Sequence, residues 1–152
     1  MAGDAAAPQL AVVRTWLVDT GPLVAYLDAS DPAHAEVAAC LDEFTGGLAT
    51  TSSVITEAMH LAAVAREGPR TLAELVAASG MEVYDLCRPP ELHEAVRLME
   101  KHADTPMGFA DATLVLLAEG LDVREILTLD RRGFSAYRTR LRRPFQLVLD
   151  SL

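Results

Sequence analysis

Short apolar runs alternate along the chain with longer segments in which apolar residues recur at helical spacing. Five of the short runs have the length and composition of buried strands, and they cover residues 14–19, 48–50, 81–86, 125–129 and 145–149. Strands that alternate with helices favour a mostly parallel sheet that helices cover on both faces. The pattern therefore predicts an α/β fold.

Capping residues, prolines and glycines mark the ends of the predicted helices. These helices cover residues 23–27, 32–44, 53–67, 71–78, 89–102 and 105–119. Asp31-Pro32 and Thr105-Pro106 are typical helix starts, whereas Gly80 and Gly120 are typical stops. The first 12 residues match neither pattern and are predicted to be a flexible tail, so residues 13–152 would form a single domain.

Composition narrows the class of protein. The chain has 152 residues, of which 51% are hydrophobic, and this suits one globular domain with its own core. Two cysteines, Cys40 and Cys87, are too few for a disulfide scaffold. No apolar run is long enough to span a membrane, and no signal peptide precedes the domain. We therefore expect a cytoplasmic protein.

Charge is unevenly distributed. The chain carries 22 acidic and 13 basic residues, for a net charge of −9, which argues against a protein that coats nucleic acid through bulk charge. Six arginines nevertheless fall within one short segment: Arg131, Arg132, Arg138, Arg140, Arg142 and Arg143. They form either a local phosphate-binding patch or a set of partners for the many acids.

Four acidic residues stand out by their position. Asp19 and Asp130 each follow a predicted strand, and sites in parallel sheets form outside the carboxyl ends of strands. Glu57 and Asp111 lie within predicted helices among apolar residues, which indicates that both face inward without a capping role. Asp19 and Asp130 could alternatively serve only as caps of the helices that follow them.

Four carboxylates in one pocket repel one another unless a cation compensates them. Mg²⁺ or Mn²⁺ prefers such oxygen ligands, and the absence of a Cys/His cluster argues against zinc. A site of this kind supports metal-assisted hydrolysis of phosphodiesters. A phosphoaspartyl enzyme with Asp19 as nucleophile is disfavoured, because Gly21 stands where a second acid is expected.

Four segments together resemble the PIN domain family. They are LVDTGPLVAYLD (17–28), SSVITEAMHL (52–61), HADTPMGFADATLVLLAE (102–119) and ILTLDRRGF (126–134). The resemblance covers about residues 14–150. It implies a three-layer, Rossmann-like α/β/α fold with a mostly parallel sheet of about five strands. It also implies a Mg²⁺- or Mn²⁺-dependent ribonuclease.

The resemblance assigns roles to individual residues. Asp19, Glu57, Asp111 and Asp130 match the family's catalytic and metal-binding acids, with Asp104 as an additional candidate ligand. The polar residues that would line the pocket are Thr20, Ser53 and Thr128. A single-domain member of this size is similar to VapC-type toxins of VapBC toxin–antitoxin pairs, which implies an RNA substrate, a VapB-type antitoxin and a homodimer.

The arginine-rich segment follows Asp130 directly. We expect Arg131 and Arg132 to hold the RNA backbone at the rim of the site, with Arg138 and Arg140 as further candidates. The alternative function is a non-catalytic PIN-like module that binds RNA or protein through the same groove.

Overall fold

A computed structural model describes residues 13–151 and contains a five-stranded, entirely parallel sheet. Its strands are β1 (Thr15–Val18), β2 (Gly47–Thr51), β3 (Glu82–Tyr84), β4 (Glu125–Leu127) and β5 (Gln146–Leu147). They are arranged in the order β3-β2-β1-β4-β5. The predicted tail, residues 1–12, lies outside the described residues.

Seven α-helices connect these strands in the described part of the chain. They are α1 (Thr20–Leu27), α2 (His34–Glu43), α3 (Ser52–Ala62), α4 (Gly68–Ser79), α5 (Pro89–Lys101), α6 (Phe109–Leu121) and α7 (Arg131–Ala136). A 3-10 turn at Val148–Asp150 follows β5. The predicted three-layer α/β/α sandwich is confirmed. Among residues 13–151, no helix is both long and apolar enough to cross a membrane.

The first strand is the centre of the sheet and of the core. β1 pairs with β2 on one side and with β4 on the other, with Leu17 opposite both Ala49 and Ile126. Leu17 and Val18 are completely buried, and burial of each such side chain contributes about 1.5–3 kcal/mol. β1 is therefore a rigid support for the residues that follow its carboxyl end.

Several predicted helix boundaries were wrong. α3 ends at Ala62 instead of residue 67, and Gly68-Pro69 begins α4 instead of only ending α3. α2 begins at His34, because Asp31 caps a preceding turn through the Ala33 amide. In each case a proline or a capping residue indicated a turn correctly, but did not distinguish the end of one helix from the start of the next.

The helix α6 also differs from its predicted span at both ends. It begins at Phe109, three residues after Pro106, and it continues through Gly120 to Leu121. Asp122 ends it in the left-handed conformation with φ of 52°. Gly80 does end α4 as predicted, with φ of 67°. Strands β3, β4 and β5 are shorter than their apolar runs suggested.

Candidate acidic active site

Asp19 lies directly beyond β1 and is held by two hydrogen bonds. Its Oδ1 accepts the Thr20 amide at 2.8 Å, and its Oδ2 accepts the Thr128 hydroxyl at 2.7 Å. The side chain is buried, with only 7% of the residue exposed. Asp19 thus caps α1 through one oxygen, as the alternative interpretation allowed, while Thr128, beyond the end of β4, fixes the orientation of the other.

Thr20 connects Glu57 to Asp19 through hydrogen bonds to both side chains. The Thr20 hydroxyl donates to Oε2 of Glu57 at 3.1 Å, which joins the start of α1 to α3. The prediction that Glu57 faces inward was wrong, because it is solvent-exposed. Of the apolar residues that supported that prediction, Val54 is buried but Leu61 and Val64 are exposed. Glu57 therefore lies at the open side of the site.

Asp111 lies in the first turn of α6 and not in its middle. Its Oδ2 accepts the amide of Gly108, the N-cap residue, at 3.0 Å. The prediction that Asp111 has no capping role was therefore wrong. A negative charge at a helix N-terminus is favourable, which partly offsets the cost of burying this carboxylate.

Asp130 caps the short helix α7. Its Oδ1 accepts the Gly133 amide at 3.0 Å, and its own amide donates to the Thr128 hydroxyl oxygen at 3.0 Å. The Thr128 hydroxyl group is almost fully buried. It donates to Asp19 and accepts from the Asp130 amide at the same time. One threonine couples the two acids that follow β1 and β4.

The charges of neighbouring acids affect the pKa values of Asp19 and Asp111. Burial raises the pKa of Asp19, the hydrogen bonds from Thr128 and Thr20 oppose that rise, and the charges of Glu57 and Asp130 add to it. Burial also raises the pKa of Asp111 to about 6. The Gly108 amide opposes this second increase, whereas Asp19, Asp130 and Glu57 reinforce it. That the four acids converge on one metal site stays a prediction, and these effects on pKa support it.

The donor set suits a hard divalent cation. All four side chains offer carboxylate oxygens, and the pKa values of Asp19 and Asp111 are raised, chiefly by burial and then by the neighbouring carboxylates. Across residues 13–151, no three Asp, Glu, His or Cys side chains are already arranged to hold a metal ion. An ion held partly through water molecules, as Mg²⁺ commonly is, fits this looser arrangement.

An open groove of about 670 Å³ runs between α3 and the start of α6. Glu57 and Asp111 line it together with Ser53, Thr56 and His60. The sequence had indicated Ser53 as a pocket residue, but not Thr56 or His60. The Ser53 hydroxyl lies 3.8 Å from the thiol of Cys87. Asp104 is exposed between α5 and α6 and, within the described part of the chain, makes no hydrogen bond with the other acids.

The arginine-rich segment is divided by its ion pairs. Arg131 donates to Asp150 at 2.8 Å and approaches Glu36 at 3.5 Å. Arg140 pairs with Glu119 near the C-terminal end of α6. Asp111 lies in the first turn of the same helix, so this ion pair and Asp111 are at opposite ends of α6.

Arg143 lies 3.7 Å from Asp122, whereas Arg132 and Arg138 have no acidic partner within residues 13–151. Arg132 is exposed and forms no ion pair there. Arg138 donates to the carbonyls of Ser135 and Tyr137 instead of to an acid. Arg132 is therefore the arginine near Asp130 whose guanidinium remains available for an anion.

Comparison with known proteins gives consistent results. The family model for the PIN domain matches residues 16–139. Ribonuclease VapC26 of Mycobacterium tuberculosis (strain ATCC 25618 / H37Rv) is 39% identical over 124 residues, which span 80% of this chain and 91% of that protein. The crystal structure of M. tuberculosis VapC20, a sarcin-ricin loop cleaving toxin, matches with a TM-score of 0.66 at 19% identity. That match covers 76% of this chain and 89% of the other, and it supports the fold alone.

Proposed function

This chain belongs to the PIN domain family, and from that premise we propose that it is a metal-dependent endoribonuclease, the toxin of a toxin–antitoxin pair. The observation that carries the proposal is that the charges of Asp19, Glu57 and Asp130 affect the pKa of Asp111, and those of Glu57 and Asp130 affect the pKa of Asp19. Glu57 and Asp111 also line an open groove. A relative that is named as a ribonuclease and covers most of the chain supports the same reaction.

Asp19, Asp111 and Asp130 would hold Mg²⁺ or Mn²⁺, with Glu57 as a further ligand. When bound, the metal supplies Lewis-acid polarisation of the phosphate and makes water more acidic. The protein contributes the orientation of the acids. Thr128 fixes Asp19, and the amides of Gly108 and Gly133 fix Asp111 and Asp130.

Glu57 has a second role at the open side of the site. Its Oε2 accepts the Thr20 hydroxyl, which orients the carboxylate while leaving the other oxygen unbonded within the described residues. That oxygen can orient the attacking water and accept its proton. The water then forms the new P–O bond as the bond to the leaving RNA oxygen breaks.

We assign RNA-backbone binding primarily to Arg132, with Arg131, Arg138 and Arg140 as weaker candidates. A guanidinium without an acidic partner gains a full charge-assisted bond with phosphate, whereas Arg140 must first leave Glu119. Arg132→Ala is expected to weaken RNA binding and flatten its dependence on salt. Arg140→Ala is the matched control, and an equal change in both salt slopes would contradict the assignment.

The partner proposals follow from the same family membership. We expect a VapB-type antitoxin to cover the acidic groove, a homodimer in solution, and a cytoplasmic location. Co-expression with a VapB-type protein, followed by size-exclusion chromatography with light scattering, tests the first two. A lone monomer that co-purifies with no partner would contradict them.

Cleavage of total RNA by the purified chain tests the main proposal. We expect discrete fragments in Mn²⁺ or Mg²⁺, none in chelator, and none from Asp19→Asn. Asp122→Asn at the opposite end of α6 from Asp111 is the control and should cleave as the natural chain does. Intact RNA in every lane, from protein free of antitoxin, would instead favour a non-catalytic binding module.

A further inference from the structure

Tyr137 is a fully buried tyrosine at the end of α7 that sequence reasoning did not single out. Its ring packs edge-on against Phe134 and His102, with centroid distances of 5.1 Å and 5.3 Å. An apolar ring would fill this space equally well, so packing alone explains the ring and not the hydroxyl group.

The hydroxyl group ties Tyr137 to the connection between α5 and α6, residues 102–108. It donates to the carbonyl of Pro106 at 2.6 Å. Two residues later, Gly108 donates its amide to Asp111. The connection contains no helix or strand, and at the Pro106 carbonyl it is held by a side chain from another element. The Tyr137 hydroxyl group therefore helps to determine where the amide that caps Asp111 lies.

The backbone of Tyr137 is hydrogen-bonded to Gly133, the residue whose amide donates to Asp130. The Tyr137 amide donates to the Gly133 carbonyl at 2.9 Å, and the Gly133 amide donates to Asp130. A β-carbon at Gly133 would collide with the Asp130 carboxylate and lie 3.0 Å from the Tyr137 hydroxyl oxygen. The hydroxyl group and the carboxylate thus lie on the same side of Gly133.

The hydroxyl group is suited to act as a permanent donor here. Burial, with the negative charges of Asp111, Asp130 and Asp19, raises the pKa of Tyr137 to about 12. The group remains protonated at every pH at which the enzyme would work, so its bond to Pro106 persists.

We propose that Tyr137 is a positioning residue that sets the spacing of Asp111 and Asp130, and through it the affinity of the site for a divalent metal. This inference rests on the proposed function, because spacing matters only if the two carboxylates share an ion. Tyr137 touches neither RNA nor metal in this account: it acts through Pro106 and Gly133.

The test removes only the hydroxyl group, with Tyr137→Phe. Tyr26→Phe is the matched control, because it deletes a hydroxyl that donates to Asp42 at 2.9 Å on the surface. In metal-free protein, we expect hydrogen exchange of the Gly108 and Gly133 amides to accelerate roughly 3- to 10-fold, as loss of an ordinary hydrogen bond implies. Exchange of the Val18 amide in β1 should remain unchanged.

A kinetic measurement accompanies the exchange experiment. In Tyr137→Phe, the Mn²⁺ concentration for half-maximal RNA cleavage should rise roughly 3- to 10-fold, whereas the KM for RNA stays the same. Unchanged exchange at Gly108 and Gly133 would overturn the inference. Equal acceleration at Val18 would also overturn it, because the role would then be general stability. A natural chain that cleaves no RNA would refute the proposed function, while the exchange data would still report whether Tyr137 holds the two amides.

Discussion

Replacing Asp111 with asparagine should stabilise the metal-free protein at neutral pH. The fold raises the pKa of this carboxyl from its ordinary value of 3.8 to about 6, chiefly through burial. A group whose pKa is higher in the folded state favours the folded state when protonated, and that advantage is lost as pH rises through the folded pKa. Ionised Asp111 therefore destabilises the fold above about pH 6.

The size of this effect on the free energy of unfolding follows from the same two pKa values. A rise from 3.8 to about 6 corresponds to about 3 kcal/mol, and this is an upper bound because Asp111 is partly exposed and screened by solvent. We expect Asp111→Asn to gain about 1–2 kcal/mol at pH 7.5 in chelator. The amide oxygen can still accept the Gly108 amide, so the cap is retained.

Urea unfolding followed by circular dichroism measures the effect between pH 7.5 and pH 4. The advantage of Asp111→Asn should shrink below pH 6 and nearly vanish at pH 4, where the natural carboxyl is protonated in the folded state. Asp122→Asn, on the exposed left-handed residue that ends the same helix, should change stability by less than about 0.5 kcal/mol. A variant no more stable than the natural chain at pH 7.5, or a gain that persists at pH 4, would refute the reasoning.

Two further substitutions test the residues that orient Asp19 and Asp130. Thr128→Val leaves Oδ2 of Asp19 and the Asp130 amide each without a partner, and should cost about 1–3 kcal/mol in a urea denaturation measurement. A loss below about 0.5 kcal/mol would show that water replaces the hydroxyl. Gly133→Ala should lower RNA cleavage at least tenfold, because its methyl group displaces the Asp130 carboxylate. Ser135→Ala in the same helix is the control and should leave RNA cleavage unchanged. Equal activity of the two variants would contradict the predicted clash.

The sheet and the first acid of the site could be predicted from local sequence. The apolar pairs of β1 and β4 mark buried strands, and parallel strands necessarily bring their carboxyl ends to one edge. That is sufficient to place Asp19 correctly and to bring Asp130 near it.

The surroundings of Asp111 and Glu57 could not be predicted, because they depend on distant contacts. Thr105-Pro106 is a good local helix start, yet the chain delays α6 to Phe109 while the Tyr137 hydroxyl holds the Pro106 carbonyl. Glu57 has apolar neighbours at helical spacing, but packing leaves that part of α3 at the surface.

The partners of the arginines are equally non-local. Arg131 pairs with Glu36, which is 95 residues away in the chain, and Arg140 pairs with Glu119. No local pattern distinguishes these paired residues from Arg132, so the sequence left both interpretations of the segment open, and the structure contains paired and unpaired arginines.

The central claim is that the four acids form one divalent-metal site, and calorimetric titration of the chain with Mn²⁺ tests it most directly. We predict binding by the natural chain, equal binding by Asp122→Asn, and affinity at least tenfold weaker for Asp19→Asn and for Asp111→Asn. Binding that both site variants retain at full strength, or no binding by the natural chain, would contradict the account.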